Sequence, residues 1–174
     1  MGKDFIYIIG IPGSGKSTAV ANALENNKIL EQTDIPIPHI KYDYGLIQIG
    51  KNREIYSGTD VLPYNAQPKV LSWLADSLDG VKVLAEGDRL GNSKFFDALI
   101  ATGWNLQILH LHCEPRIAWD RCVTRGSNYS ATWYKSRVTK IDNLIAKYID
   151  YLQTTINTRM EPELVAKKIR NYLA

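Results

Sequence analysis

Apolar runs and amphipathic stretches alternate along most of the chain. Phe5–Ile9 is a short uninterrupted apolar run that reads as a buried strand, and Lys16–Leu24 follows with helical spacing. The same reading gives a short strand at His39–Lys41, a helix over Ala66–Leu78, a strand at Val81–Ala85, a helix over Lys94–Thr102 and a strand at Leu106–His112. A further helix is predicted to open at Pro115, because proline is tolerated in the first turn. Between Ala131 and Thr158, Val138, Ile141, Leu144, Ile145, Tyr148 and Leu152 fall at helical spacing, and Pro162–Leu173 reads as a last amphipathic helix. Strands alternating with helices predict an α/β class with a parallel sheet covered by helices on both faces. No repeat or Gly/Ser-rich linker interrupts the pattern, and 174 residues fit one domain, 1–174.

Composition narrows the classes without choosing among them. Hydrophobic residues at 45% and charged residues at 22% are ordinary for a globular chain, which argues against disorder or a fibrous repeat. A net charge of +3 suits an anionic ligand but falls short of the bias that announces nucleic-acid binding by itself. Of the two cysteines, Cys113 ends an apolar run and Cys122 sits in a helical pattern, with neither metal nor redox spacing around them. The apolar N-terminal stretch runs into a glycine-rich loop without a leader-like cleavage site. No run approaches the ~18 apolar residues of a membrane span. A cytoplasmic location, no membrane association and no obligate protein partner are the expectations.

The chemistry begins at Gly10-Ile-Pro-Gly-Ser-Gly15-Lys16-Ser17, which fits GxxxxGK[ST] and lies between a strand and a helix, as that motif requires. Glycines let successive backbone N–H groups turn toward phosphates, and the following helix aims its positive end at the same anion. Gly13, Ser14, Gly15, Lys16, Ser17 and Thr18 are therefore the expected nucleoside triphosphate contacts. Lys16 is expected to bridge the β- and γ-phosphates and the Ser17 hydroxyl to ligate Mg2+. The expected fold is that of P-loop NTPases and kinases.

Two segments resemble GTPase motifs: Asp88-Arg-Leu-Gly91 and Thr139-Lys140-Ile141-Asp142. The second lies inside a helical pattern, whereas a guanine-reading loop follows a strand. The region about 115–137 favours a kinase. Arg116, Arg121, Arg125 and Arg137, with Lys135 and Lys140, surround the loop from Gly126 to Ser130, which reads as a lid. Arg121 and Arg125 share a helix face, so both can reach one phosphate cluster and offset charge on the moving group.

On the acceptor side, Asp43 follows the second predicted strand and is the candidate general base. Glu86 follows the third and is placed to orient Mg2+ directly or through water, with Asp88 and Arg89 close behind. The polar stretch from Tyr56 to Lys69 offers Ser57, Thr59, Asp60 and Gln67 as pocket-lining groups, with helix capping as the alternative for the first three. Tyr42, Tyr44, Tyr56, Tyr64, Tyr129 and Trp133 offer faces on which a base can stack.

Taken together, the P-loop, YSGTD (56–60) with AQPK (66–69), EGDRL (86–90), the RxxxRG element Arg121–Gly126 and Arg137-x-x-Lys140 resemble the bacteriophage 5-hydroxymethyluracil DNA kinases. The resemblance spans nearly the whole chain. It departs from the family pattern at Leu62-Pro63-Tyr64 and at Asn128-Tyr129. It implies transfer of the γ-phosphate of ATP, with Mg2+, to the hydroxymethyl oxygen of 5-hydroxymethyluracil in DNA, in a bacterial host cytoplasm. Arg89 and Arg137 join Tyr42, Ser57, Thr59, Asp60 and Gln67 as substrate-binding residues, and Lys16, Asp43, Arg121 and Arg125 as catalytic ones. The chain is also similar to polynucleotide and deoxynucleotide kinases, which implies a sheet of order 2-3-1-4 and a carboxylate after the second strand. Kinases of free nucleosides or nucleotides, or of polynucleotide 5′ ends, stay open as alternatives, and a GTP-dependent switch as a less favoured one.

Overall fold

The computed structural model describes residues 2–51, 57–77 and 80–174. Its strands are β1 (Asp4–Ile9), β2 (Ile29–Thr33), β3 (His39–Tyr42), β4 (Leu46–Ile49), β5 (Lys82–Glu86), β6 (Asn105–His112) and β7 (Leu152–Asn157). Its helices are α1 (Lys16–Leu24), α2 (Gln67–Ser77), α3 (Ser93–Ala101), α4 (Pro115–Thr124), α5 (Ala131–Lys147) and α6 (Pro162–Leu173). The strands form one sheet in the order β2-β3-β4-β5-β1-β6-β7.

From β4 to β7 every neighbouring pair is parallel, and β2 and β3 are antiparallel additions at one edge. This revises the expected order. The sequence 2-3-1-4 is present, but the strand in the second role is Leu46–Ile49, not His39–Lys41. β3 runs the opposite way, so its C-terminal end lies level with the start of β4 and, one strand further, the start of β5: Lys41 pairs with Ile47 and Leu46 with Lys82. The segment after Tyr148 is a second revision. Leu152 continues the helical spacing, yet the β-branched run Thr154-Thr155-Ile156 forms β7, and Ile156 is buried beneath Val165 and Ile169 of α6.

Side-chain alternation along the central strand divides the core. Phe5, Tyr7 and Ile9 face a cluster that includes Val70, Leu74, Phe95, Phe96, Leu99, Ala118 and Leu144. Ile6 and Ile8 face the opposite cluster with Val20, Leu24, Leu109, Val165 and Ile169. Both faces of β1 are fully buried, as a central parallel strand requires. Each such side chain contributes about 1.5–3 kcal/mol relative to exposure.

Caps set the helices that carry chemistry. Asn92 accepts the Phe95 N–H at the start of α3, and Ser130 accepts the Trp133 N–H at the start of α5. α4 ends where Gly126 takes φ 78°, with the Ser127 N–H returning to the Cys122 carbonyl. The glycine of RxxxRG thus ends a helix. No helix among the described residues is long and apolar enough to cross a membrane.

Candidate active site

The loop between β1 and α1 is held from below by α4. A Cβ on Gly13, whose φ is +83°, would overlap the Ala118 carbonyl and stand 2.9 Å from Cys122 Sγ. Only glycine permits this approach. The Tyr134 hydroxyl, reaching in from α5, is 3.1 Å from the Pro12 carbonyl and 3.2 Å from that of Pro115, so it bridges loop and helix. Burial pushes the Tyr134 phenol up to about 12, with the nearby Cys122 and Cys113 acting in the same direction. Nothing local in the sequence marks Tyr134, because its loop partner is 122 residues away.

Inside the loop, the Ser14 hydroxyl is buried with no hydrogen-bond partner among the described residues. The Lys16 ammonium donates to the carbonyls of Gly10 (2.7 Å) and Ile11 (3.1 Å). Burial lowers its pKa, Glu86, Asp60 and Asp88 oppose that, and Arg125 adds to it. Gly15, with φ 90°, precedes the first turn of α1, and Thr18 in that turn has an exposed side chain. An orphaned hydroxyl, a displaceable ammonium and a helix N-terminus fit the oxygens of a triphosphate.

Ser17 donates to Glu86 Oε1 at 2.9 Å, and Ser57 donates to Ser17 Oγ at 2.5 Å. Glu86 is only 3% exposed. Burial raises its carboxyl pKa, against the pull of Lys16 and Ser17. The backbone of Gly58 (φ +59°) lies so close over this carboxylate that a Cβ there would collide with it. One hydroxyl and one buried carboxylate form the kind of small oxygen set that binds Mg2+ beside phosphate and water. Among the described residues no larger cluster of metal-binding side chains exists.

Of the two lid arginines, Arg121 reaches the loop from α4, while Arg125 caps the end of that helix and bonds back onto it. Arg121 Nη1 donates to the Gly13 carbonyl at 3.3 Å and to Cys113 Sγ at 3.6 Å, and Arg125 Nη2 to Cys122 Sγ at 3.4 Å. Farther along, Asp88 is gripped by Arg137 (2.9 Å) and Lys140 (2.6 Å) of α5. Burial acts to raise the Asp88 pKa, but the two cations together hold it below the usual carboxylate range.

On the acceptor side, Asp60 Oδ1 accepts the N–H groups of Asp88 (2.9 Å) and Arg89 (3.2 Å). The Arg89 guanidinium lies 3.7 Å from the centre of the Tyr64 ring, which is 93% exposed. Two donors here, Arg89 Nε and Gln67 Nε2, are buried without hydrogen-bond partners among the described residues. At the turn into α5, Tyr129 stacks on Trp133 at 4.2 Å, and the Arg137 guanidinium lies 5.3 Å from the Trp133 ring.

Three expected site residues lie elsewhere. Asp43 follows the antiparallel β3 and lines a cavity of about 590 Å3 with Asp4, Lys82 and Arg170, at the end of the sheet opposite the P-loop. It is a β1 length away, roughly 16 Å, and is not the general base. Tyr42 is buried in the α1/α6 core, its hydroxyl donating to Gln48, and cannot stack on a substrate. Thr59 is fully buried; its hydroxyl lies 3.4 Å from that of Tyr7, which in turn donates to the Gly87 carbonyl. Thr59 supports the site without meeting substrate. Tyr44 lies beside Asp43 at the far end, and Tyr56 is outside the described residues. The segment Thr139–Asp142 lies within α5, so it is not a guanine-reading loop.

Solved structures share this architecture. A sugar kinase from Janibacter sp. HTCC2649 matches at TM-score 0.57 and 16% identity, covering 98% of this chain and 94% of that one. A shikimate kinase from Acinetobacter baumannii in complex with shikimate gives 0.53 and 15%, covering 98% and 93%. A deoxyadenosine kinase from M. mycoides with bound dATP gives 0.51 and 12%, covering 97% and 98%. At such identities these likenesses establish the fold. No curated protein matches the sequence. The family model described as P-loop Nucleotide Kinase3 matches residues 1–171, so the chain belongs to that family of P-loop kinases and is an ATP-dependent phosphotransferase.

Proposed function

We propose that the protein transfers the γ-phosphate of ATP to the hydroxymethyl oxygen of 5-hydroxymethyluracil in DNA. The observation that carries this reading is the Arg89 guanidinium over the exposed Tyr64 ring, its Nε buried and unpartnered, with a second buried, unpartnered donor in Gln67 Nε2 at the start of α2. Buried donors without acceptors are costly, by about 1–3 kcal/mol each, and a ligand that supplies acceptors relieves the cost. A pyrimidine dione offers carbonyl oxygens to such donors and a flat face to tyrosine. The open side of the site, with the stacked Tyr129–Trp133 pair beside Arg137, suits a nucleotide that remains part of a polymer.

In this reading the loop N–H groups and Lys16 hold the β- and γ-phosphates, and Arg121 and Arg125 offset charge as the γ-phosphoryl moves. Ser17 and Glu86 hold Mg2+, which when bound neutralises charge on the phosphate oxygens. Asp60 replaces Asp43 as the base. Its carboxylate is fixed by two backbone N–H groups and lies close enough to Lys16 for the charges to interact. The acceptor oxygen forms its bond to phosphorus, the bond to the β,γ-bridging oxygen breaks, and the hydroxyl proton passes to Asp60.

A second reading, a kinase of free nucleosides or nucleotides, is favoured by size: the chain spans nearly the whole length of the deoxyadenosine kinase with bound dATP. Incubation with γ-labelled ATP and Mg2+ separates the two. The acceptors are DNA containing 5-hydroxymethyluracil, matched thymine DNA, and the free nucleoside and nucleotide. Label on the modified base alone is the expected result. Label at the 5′ ends of both DNAs, or only on free nucleosides or nucleotides, refutes it.

A further inference from the structure

We propose that the groove between α3 and α5 carries the sugar–phosphate backbone of a single DNA strand next to the target base; this rests on the reading of the acceptor as DNA. The groove has a volume of about 860 Å3, and among its lining residues are Ser93, Thr132, Lys135, Thr139, Lys140 and Lys147. Among the described residues that line it there is no carboxylate and no aromatic ring. Leu144 and the lysine stems give the groove an apolar floor suited to sugar, and the amines, hydroxyls and amides along it suit phosphate oxygens more than bases.

The lining residues of α5 recur every three or four positions, so they form one helix face. From Thr132 to Lys147 that face is about 22 Å long, enough to follow several nucleotides. The opposite wall is the start of α3, whose positive end, capped by Asn92, adds to the same field. Charge on this face is available. Lys135 has no carboxylate partner among the described residues, while Lys140 and Lys147 pair with Asp88 and Asp97, whose side chains are 45% and 56% exposed. The Lys147–Asp97 pair, so open to water, is weak and yields to a phosphate, whereas Lys140 shares Asp88 with Arg137.

The groove is continuous with the acceptor side. Lys140 also donates to the Asp88 carbonyl at 3.2 Å, and the next residue is Arg89, lying over Tyr64. A strand whose modified base enters beside Gln67 and Arg89 therefore leaves along α5.

The test uses the full chain with Lys135→Gln and Lys147→Gln combined; glutamine keeps much of the stem and removes the charge. Anisotropy of a labelled, unmodified single-stranded 12-mer is measured from 50 to 200 mM salt. Each lost phosphate contact lowers the log–log salt slope by about 0.7, so the double variant is expected to show a slope smaller by about 1.4 and roughly tenfold weaker binding. On DNA containing 5-hydroxymethyluracil its KM for polymer rises in parallel, with KM for ATP within twofold. Unchanged slope and affinity, or no binding of the 12-mer by the wild-type chain, overturns the groove. If the wild type labels only free nucleosides while the slope change appears, the acceptor reading fails and the groove stands. If DNA is labelled while the slope and KM of the double variant are unchanged, the acceptor reading stands and the groove fails.

Discussion

Alanine at position 13 puts one carbon into the closest approach between the phosphate loop and α4. Two costs add. An L residue at φ +83° is strained by about 1–2 kcal/mol. The new Cβ also overlaps a backbone carbonyl, that of Ala118, and stands 2.9 Å from Cys122 Sγ, both on a buried face of α4. A backbone atom cannot rotate away, so the helix has to shift, at about 1–3 kcal/mol for overpacking. The smaller entropy of the unfolded chain returns about 0.5 kcal/mol. The net loss is about 2–4 kcal/mol, and urea unfolding reads it as a midpoint lower by about 1–2 M. Gly15→Ala is the internal control. Its φ is +90°, but the nearest atom to a new Cβ is Arg121 Nη1 at 4.0 Å, so strain acts there without the clash. Because α4 carries Arg121 and is capped by Arg125, Gly13→Ala also lowers turnover. Equal loss of stability in the two variants would refute the tight seating of α4 under the loop.

Asp60→Asn is expected to lower kcat by about 10²–10⁴-fold, whereas Asp43→Asn stays within twofold of wild type; the reverse order would return the base to Asp43. Glu86→Gln tests a buried charge. Burial raises the folded pKa of Glu86, so ionisation costs stability as pH rises through the unfolded value, and the full cost is present above the folded one. The variant is therefore more stable than wild type in urea at pH 7, with the gap closing below about pH 4, while its Mg2+-dependent turnover falls. A less stable variant at pH 7 contradicts this. Burial, with His112 beside it, holds His110 down at about 4, so it stays neutral in the fold while the unfolded chain takes up a proton. The stability His110 contributes is present above about pH 6.5 and is lost as pH falls toward 4. His110→Gln flattens the fall in urea midpoint across that window, and an unaltered slope removes His110 as its cause.

The strand, loop and helix that frame Gly10–Ser17 were legible because their signal is local: Phe5–Ile9 supplies the strand, Gly13 and Gly15 the turns, and Lys16–Leu24 the helix, all within about two dozen residues. Glu86 was legible for the same reason, standing at the end of an apolar run. Asp43 was misread because periodicity reports that a strand exists and says nothing of its direction. His39–Tyr42 and Leu46–Ile49 are both short and apolar, and only pairing with β5 decides which of them points toward the loop. The same limit hid β7, since Leu152 satisfies a helical period while Thr154 to Ile156 obey the sheet. Tyr7 and Tyr134 were invisible as site residues because Tyr7 meets Thr59 52 residues away and Tyr134 meets Pro12 122 residues away.

The three oxygens of Ser57, Ser17 and Glu86 stand in series, each hydroxyl donating to the next group. Ser17 is thus at once an acceptor for Ser57 and the oxygen that a cation would use. A cation that took the Ser17 lone pairs would compete with Ser57 for the same oxygen, and the Ser57 proton would have to find another acceptor. By linkage, an acceptor group that drew Ser57 away would strengthen the cation's hold on Ser17 by the same free energy. Two hydrogen bonds in series would thus couple the nucleotide's cation to the acceptor side without any moving domain.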